Sequence, residues 1–402
     1  MKNTKARVQF VFATILLDAL GIGILIPIMP DIIRRFSSDP SFVSQYYGYF
    51  ISIYALMQFV ASPILGSLSD RFGRRPVLLV SLLGAGLDYV LMAFAPNLWI
   101  LFFGRIISGL TGASMTVATA YIADISDDSN RSANFGMIGA AFGLGFIIGP
   151  AIGGAVGSFG HQFPFLAAAV LNLLNFAFGL FILPESLLPE LRRKVELTRL
   201  NPLKSLAKVF RPSPTLLLIW VYILLFLAGQ AHPSIWTLYT QMKFNWSVTD
   251  VGWSLSAVGL SIALVQGGLT RVIVPKLGEW RSVIACIVIN MLAFAGFAFA
   301  NAGWMMYAIL VPSALAGIGG PSLQSLISKN VPPQEQGELQ GTLVSLGSLT
   351  AIIGPLLYTS LFSQFTQSQS QIQFPGVSYL AAAIICLFSG VLILFTSKPS
   401  HE

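Results

Sequence analysis

The stretch Gly66-Ser67-Leu68-Ser69-Asp70-Arg71-Phe72-Gly73-Arg74-Arg75-Pro76 decides how the rest of the chain is read. It carries four charged side chains and lies between two apolar runs, about 43–68 and 76–95. Each run has the roughly 20 residues that a helix needs to cross a bilayer. A segment this short and this charged cannot face lipid, so it marks a turn at a membrane surface. Asp70 and Arg74 are four residues apart and can pair over one helical turn. Asp70 can equally cap the end of a neighbouring helix, where backbone amides favour an anion. The glycines Gly66 and Gly73, together with the fixed charges Asp70, Arg71 and Arg74, point to a conformational latch rather than a solvated turn.

Composition extends this reading to the whole chain. Of 402 residues, 55% are hydrophobic and only 10% charged, against roughly 25% charged in an ordinary globular protein. That is too little polar side chain to solvate a globular surface. The chain is read as an integral membrane protein, which sets aside secreted disulfide scaffolds, nucleic-acid binders and most soluble enzymes. Twelve apolar runs follow, at about 8–30, 43–68, 76–95, 98–122, 135–158, 164–183, 214–239, 249–272, 281–300, 303–328, 338–362 and 376–396. The first follows Lys2, Lys5 and Arg7 as a signal peptide would, but it is too long and lacks a small-residue cleavage site, so it reads as a retained helix.

Basic residues orient the spans. With the N-terminus in the cytoplasm, only Arg34, Arg35 and Lys243 fall in outer loops, and Arg105 lies inside a span. All the rest of the 23 Lys and Arg are cytoplasmic. This asymmetry implies an even number of spans with both termini inside, and it explains the net charge of +7 without a nucleic-acid partner. Cys286 and Cys386 fall in apolar runs and read as packing residues. One long connection, 184–213, holds Arg192, Arg193, Lys194, Arg199, Lys204, Lys208 and Arg211. It reads as a cytoplasmic linker resting on anionic headgroups, between a six-helix bundle at 1–183 and another at 214–402.

The halves repeat. Ile-Ile-Gly-Pro occurs with Gly149-Pro150 in span 5 and with Gly354-Pro355 in span 11, an offset of 205 residues, and the same offset carries Gly112 onto Gly317. Repeated halves are a common plan of secondary transporters, with substrate bound near the midplane and alternating access by one half rocking against the other. No G-x-x-x-x-G-K loop is present for ATP, no zinc-type spacing, and no Ser/His/Asp hydrolase arrangement. No metal or cofactor is expected, and a proton gradient is the natural energy source.

Ionisable residues inside spans are rare and costly, which makes each a functional candidate. Asp18 lies about 15 Å into span 1, near the midplane. It is a candidate proton carrier or partner for a cationic substrate group. Asp88 and Arg105 each lie about 10 Å below the outer ends of spans 3 and 4. A buried ion pair is the simplest reading, because a lone Arg at that depth is very costly; a pair that opens during transport is the alternative. His232 precedes Pro233 in span 7 and is either a satisfied core residue or a proton or substrate group. Gln58, Gln230, Gln266, Asn290 and Gln324 suit hydrogen bonding to a polar substrate or between helices. Span 5 holds Gly139, Gly143, Gly145, Gly149, Pro150, Gly153 and Gly154. The four-residue spacing of 145 and 149 makes a smooth packing face, and Pro150 can kink the helix.

These motifs resemble the major facilitator superfamily. Residues 66–76 resemble its signature loop, Arg105 with Gly109 and Gly112 its fourth-helix motif, and Gly145 to Gly154 the fifth-helix motif of its drug antiporters. The resemblance narrows to the tetracycline/proton antiporters through 16–23, 54–58, 86–91, 336–341 and 348–357. By that resemblance Asp18, Asp70, Asp88 and Arg105 fall on functionally important charges and Gln58 and Gln266 on polar positions near the substrate path. Asp124 resembles the acid that pairs with the signature loop. Two positions depart: Asn290 stands where the family carries an acid in span 9, and Ile262 where it carries a histidine in span 8. Proton work then falls on Asp18 or Asp88. The expectation is an all-α, twelve-helix transporter, not an enzyme, working as a monomer in a bacterial inner membrane and exporting an amphipathic small molecule in exchange for protons. An importer or facilitator on the same fold, and a non-transporting receptor or scaffold, are the alternatives.

Overall fold

The computed structural model describes residues 2–112, 114–127, 131–192, 215–332, 336–367 and 369–396. Most of the long basic connection therefore lies outside the described residues. Every span is helical, since in lipid each backbone polar group must be satisfied within its own segment. Among the described residues, eleven helices are long and apolar enough to cross a membrane: Val8–Leu25, Pro40–Phe72, Arg74–Ala93, Leu98–Ile125, Asn134–Gly157, Phe163–Ile182, Leu216–Phe244, Glu279–Phe299, Gly303–Lys329, Leu339–Thr366 and Val377–Leu394. The twelfth, span 8, starts as Val248–Leu264, then passes through a π-helical turn, Val265–Leu269, into Thr270–Leu277.

Several spans are longer than the apolar runs alone indicate. Pro40–Phe72 has 33 residues, about 50 Å at 1.5 Å per residue, against a hydrocarbon core of about 30 Å. Its last turns project beyond the lipid. The signature stretch is consequently not an open loop. Helix runs to Phe72, resumes at Arg74, and leaves Gly73 alone between them, at φ +104°. Only a glycine adopts that conformation without strain. Gly278, between spans 8 and 9 at the repeat offset, has φ +80°.

The breaks repeat as well. Span 1 ends at Leu25, and span 7 breaks at Gln230 between Leu216–Gly229 and Ala231–Phe244. Span 4 breaks at Gly112, and span 10 passes through a 3-10 turn, Leu315–Ile318, that contains Gly317. Each pair is separated by the same 205 residues.

The chain divides into two compact units. One comprises Met1–Phe36, Ile53–Pro202 and Ser247–Ser256; the other comprises Ser37–Ser52, Leu203–Trp246 and Ala257–Glu402. The first turns of span 2 thus belong with the second unit. Ser41 Oγ shares a 2.6 Å hydrogen bond with Ser363 Oγ, Gln367 Nε2 donates to Ser41 Oγ at 2.8 Å, and Ser52 Oγ donates to the Ile352 carbonyl at 2.7 Å. The first turns of span 8 belong with the first unit, where Thr249 Oγ1 donates to the Gly154 carbonyl at 3.2 Å.

Helix association in lipid has little hydrophobic drive and relies on close packing and polar contacts. Span 5 shows the first. A Cβ on Gly145 would lie 2.9 Å from the Leu20 amide nitrogen, and one on Gly149 2.9 Å from Gly23 Cα. These glycines seat span 1 around Asp18. Gly139 and Gly143 face open space, so the packing face is narrower than the glycine count implies.

Candidate functional site

The first unit gathers the intramembrane charges. Asp88, on span 3, is 1% exposed, and Arg105, on span 4, is 8% exposed. The Ser108 hydroxyl, one turn beyond Arg105, donates to Asp88 Oδ2. Asp88 Oδ1 is buried without a hydrogen-bond partner. Gly104 leaves room for it, since a Cβ there would come within 2.8 Å. The Arg105 guanidinium lies over the Tyr54 ring, 4.3 Å from its centroid, a cation–π contact that partly replaces lost hydration. Tyr54 lies within electrostatic range of Arg105 and Asp18, and buried Tyr89 within range of Tyr54, Asp18, Arg105 and Asp88. Asp18, Tyr54, Asp88, Tyr89 and Arg105 are therefore one cluster built from spans 1 to 4. The two tyrosines were not among the sequence candidates, because a tyrosine in an apolar run carries no charge signal.

Gln58 Nε2 donates to the Gly112 carbonyl at 3.1 Å. Gly112 ends the helical half Leu98–Thr111, where carbonyls lose their intrahelical partners. Part of this amide is thus spent on the break in span 4.

The second unit holds a cavity of about 200 Å³, lined in part by His232, Ile262, Gln266, Asn290, Phe294 and Ser313. Its polar lining among the described residues is two amides, a hydroxyl and the imidazole, with no carboxylate, Lys or Arg. Asn290 Nδ2 also donates to Cys286 Sγ at 3.5 Å. The His232 ring is boxed by Trp236, Phe294, Phe297 and Tyr379 at centroid distances of 5.3, 5.5, 5.1 and 5.7 Å. Its Nδ1 is buried without a partner. Three sequence candidates, His232, Gln266 and Asn290, therefore meet in one cavity. The other three amides are not among its lining residues: Gln58 is spent on Gly112, Gln324 hydrogen-bonds Tyr222, and Gln230 packs against Gly354 at the break in span 7.

At one end of the first unit the latch residues converge. Arg74 reaches Asp70 at 2.6 Å across the Gly73 break, Asp124 at 3.1 Å and Ser69 Oγ at 2.6 Å. Asp70 is nearly half exposed while Asp124 is mostly buried, so the Asp124 contact contributes more, exposed pairs being worth about 0–1 kcal/mol. Gly66 accepts from Ser69 through its carbonyl at 2.7 Å. Arg71 is exposed and lies against Phe72. The anion on the N-terminus of span 3 is Glu185, which accepts from the Arg74 and Arg75 amides at 2.8 and 3.2 Å; Asp70, expected to cap a helix or pair with Arg74, makes the pair.

Twelve helices, a repeat that reproduces its own breaks, and this latch agree with one finding. The Major Facilitator Superfamily model matches residues 11–355. The chain belongs to the major facilitator superfamily. It is a multi-pass membrane transporter, not an enzyme. Its relatives include the class C tetracycline resistance protein of Escherichia coli, 41% identical over 390 residues covering 96% of each chain. The class D tetracycline resistance protein of Salmonella ordonez is 40% identical over 353 residues, covering 88% of this chain and 89% of that one. Among solved structures, a bacterial homolog of the human lysosomal transporter Spinster superposes with a TM-score of 0.79 at 12% identity, covering 98% of this chain and 97% of the other. That last likeness concerns the fold alone.

Proposed function

We propose that this transporter exports an amphipathic, tetracycline-like compound across a bacterial inner membrane in exchange for protons, as a monomer with both termini in the cytoplasm. The observation that carries this reading is the cluster of Asp18, Asp88 and Arg105 with Tyr54 and Tyr89, in which Asp88, Arg105 and Tyr89 are buried. Asp88 Oδ1, buried and partnerless, is an atom at which a proton can be held. The Arg105 cation favours the carboxylate once the proton leaves. Substrate binds at the cavity of His232, Gln266 and Asn290, whose neutral donors and acceptors and apolar walls suit an amphipathic ring system. The proton gradient supplies the energy, and the ligands shift the conformational equilibrium only by binding the two facing states differently. The close tetracycline resistance relatives support the direction and the substrate class.

A facilitator is the second reading, favoured by Asn290, an amide that carries no proton at the span 9 position. Everted vesicles with an acidic interior separate the two. Adding tetracycline, then a panel of amphipathic cations and neutral drugs, should release protons from the wild type and not from Asp18→Asn or Asp88→Asn. Counterflow of a compound without proton release, unchanged in both variants, would replace antiport with facilitation.

A further inference from the structure

The offset that carries Gly149 onto Gly354 also carries Arg74 onto Glu279 and Asp124 onto Lys329. Both pairs are closed: Arg74 Nε to Asp124 Oδ2 at 3.1 Å, and Lys329 Nζ to Glu279 Oε2 at 2.7 Å. Each follows a glycine at positive φ, Gly73 or Gly278. Each ties the first residue of an odd-numbered span to the last turn of the next span. Each also engages a serine, Ser69 on Arg74 and Ser325 on Glu279. The polarity is inverted between the halves.

Helix dipoles make that inversion consequential. A helix N-terminus favours an anion and a C-terminus a cation. Glu279 opens span 9 and Lys329 closes span 10, so both charges of the second pair agree with their helices. Arg74 opens span 3 and Asp124 lies one residue from the end of span 4, so both charges of the first pair oppose theirs. Among the described residues, only the first pair has an external anion at its helix N-terminus. Glu185 Oε1 and Oε2 accept from the Arg74 and Arg75 amides, while the Ser186 and Leu187 amides donate back to Glu185 at 3.0 and 3.1 Å. Ser186 Oγ meanwhile donates to Asp124 at 2.9 Å. At the repeat offset from Glu185 stands Gly390.

We infer that Glu185 is the positioning residue of the first latch: it supplies the negative charge that the reversed polarity requires at the start of span 3. The first latch is thereby governed by the segment that follows span 6, whereas Glu279–Lys329 already carries the polarity that its helix ends favour. The inference is independent of which compound is carried.

The test uses the purified full chain in detergent. Glu185→Ala should speed amide exchange at residues 74 and 75 by about tenfold, the loss of a net hydrogen bond, and leave residues 280–282 unchanged. Glu185→Gln should lower the thermal midpoint in the natural background. In an Arg74→Glu/Asp124→Lys background, which gives the first pair the polarity of the second, Glu185→Gln should raise it, because two carboxylates then crowd one helix N-terminus. The same sign in both backgrounds overturns the inference, as does unchanged exchange at 74 and 75. If the double variant fails to accumulate, the reciprocal Glu279→Lys/Lys329→Glu decides: it should unfold at lower temperature than the wild type, and an unchanged midpoint overturns the dipole argument.

Discussion

Asp88 has two carboxylate oxygens in different surroundings, one accepting from Ser108 and one buried beside Gly104 with no partner. The first oxygen is a stability element and the second a chemical one, and two substitutions separate them. Ser108→Ala removes a donor to a buried carboxylate and should destabilise the fold by about 1–3 kcal/mol, read as a lower thermal midpoint in detergent. Asp88→Asn keeps the shape and an oxygen to accept from Ser108, so it should fold with a nearly wild-type midpoint and yet release no protons when substrate is added to acidified vesicles. Proton release at the wild-type rate from Asp88→Asn would remove this residue from the coupling path. The carboxylate was legible in the sequence because a charge in an apolar run is too costly to be incidental. Glu185 was not, because it acts on a helix end more than a hundred positions earlier in the chain, and nothing local to it signals that contact.

Spans rather than single residues explain how the cluster is held. Span 5 seats span 1 through Gly145 and Gly149, whose missing side chains let two backbones touch near Asp18. Gly149→Leu should therefore force spans 1 and 5 apart, at a cost of about 1–3 kcal/mol or more by overpacking, with reduced accumulation in the membrane. Gly139→Ala and Gly143→Ala point into open space and should be neutral or stabilising by about 0.5–1 kcal/mol, the usual Gly-to-Ala gain inside a helix. Equal loss at 139, 143 and 149 would show that span 5 needs glycine for flexibility instead of close packing. The existence of this helix was plain from its apolar run. Which of its glycines matter was not, because four-residue spacing selects a face without saying which neighbour lies against it. The helix breaks were legible to a similar degree: Gly112 and Gly317 marked one pair, while at the other Pro27 follows Leu25 and Gly229 precedes Gln230, residues that do not match each other at the repeat offset. Arg74 with Glu279 and Asp124 with Lys329 were readable at the repeat offset. Charge inversion hides them from a search for identical residues.

At the scale of the molecule, span 8 decides the topology. Val248–Leu264 has 17 residues, about 25 Å, short of a hydrocarbon core of about 30 Å. Eleven spans would put the two termini on opposite sides, and spans 9 to 12 would then present Lys329 and the other basic ends to the outer face. The distribution of Lys and Arg opposes that arrangement, because the residues concerned, Arg271, Lys276, Arg281 and Lys329, would all sit on the side that basic residues avoid. Span 8 runs on through its π-helical turn to Leu277, which carries the chain past the needed length and, with the N-terminus inside as proposed, would deliver Gly278 to the inner surface. Reporter fusions read this directly. Alkaline phosphatase joined after Asn245 should be active in the proposed orientation. Joined after Gly278 or after Glu402 it should be inactive, while a fluorescent protein at those two positions should light up. An active phosphatase after Gly278 would mean that the π-turn does not extend the crossing, and the two latches would then stand on opposite sides of the membrane.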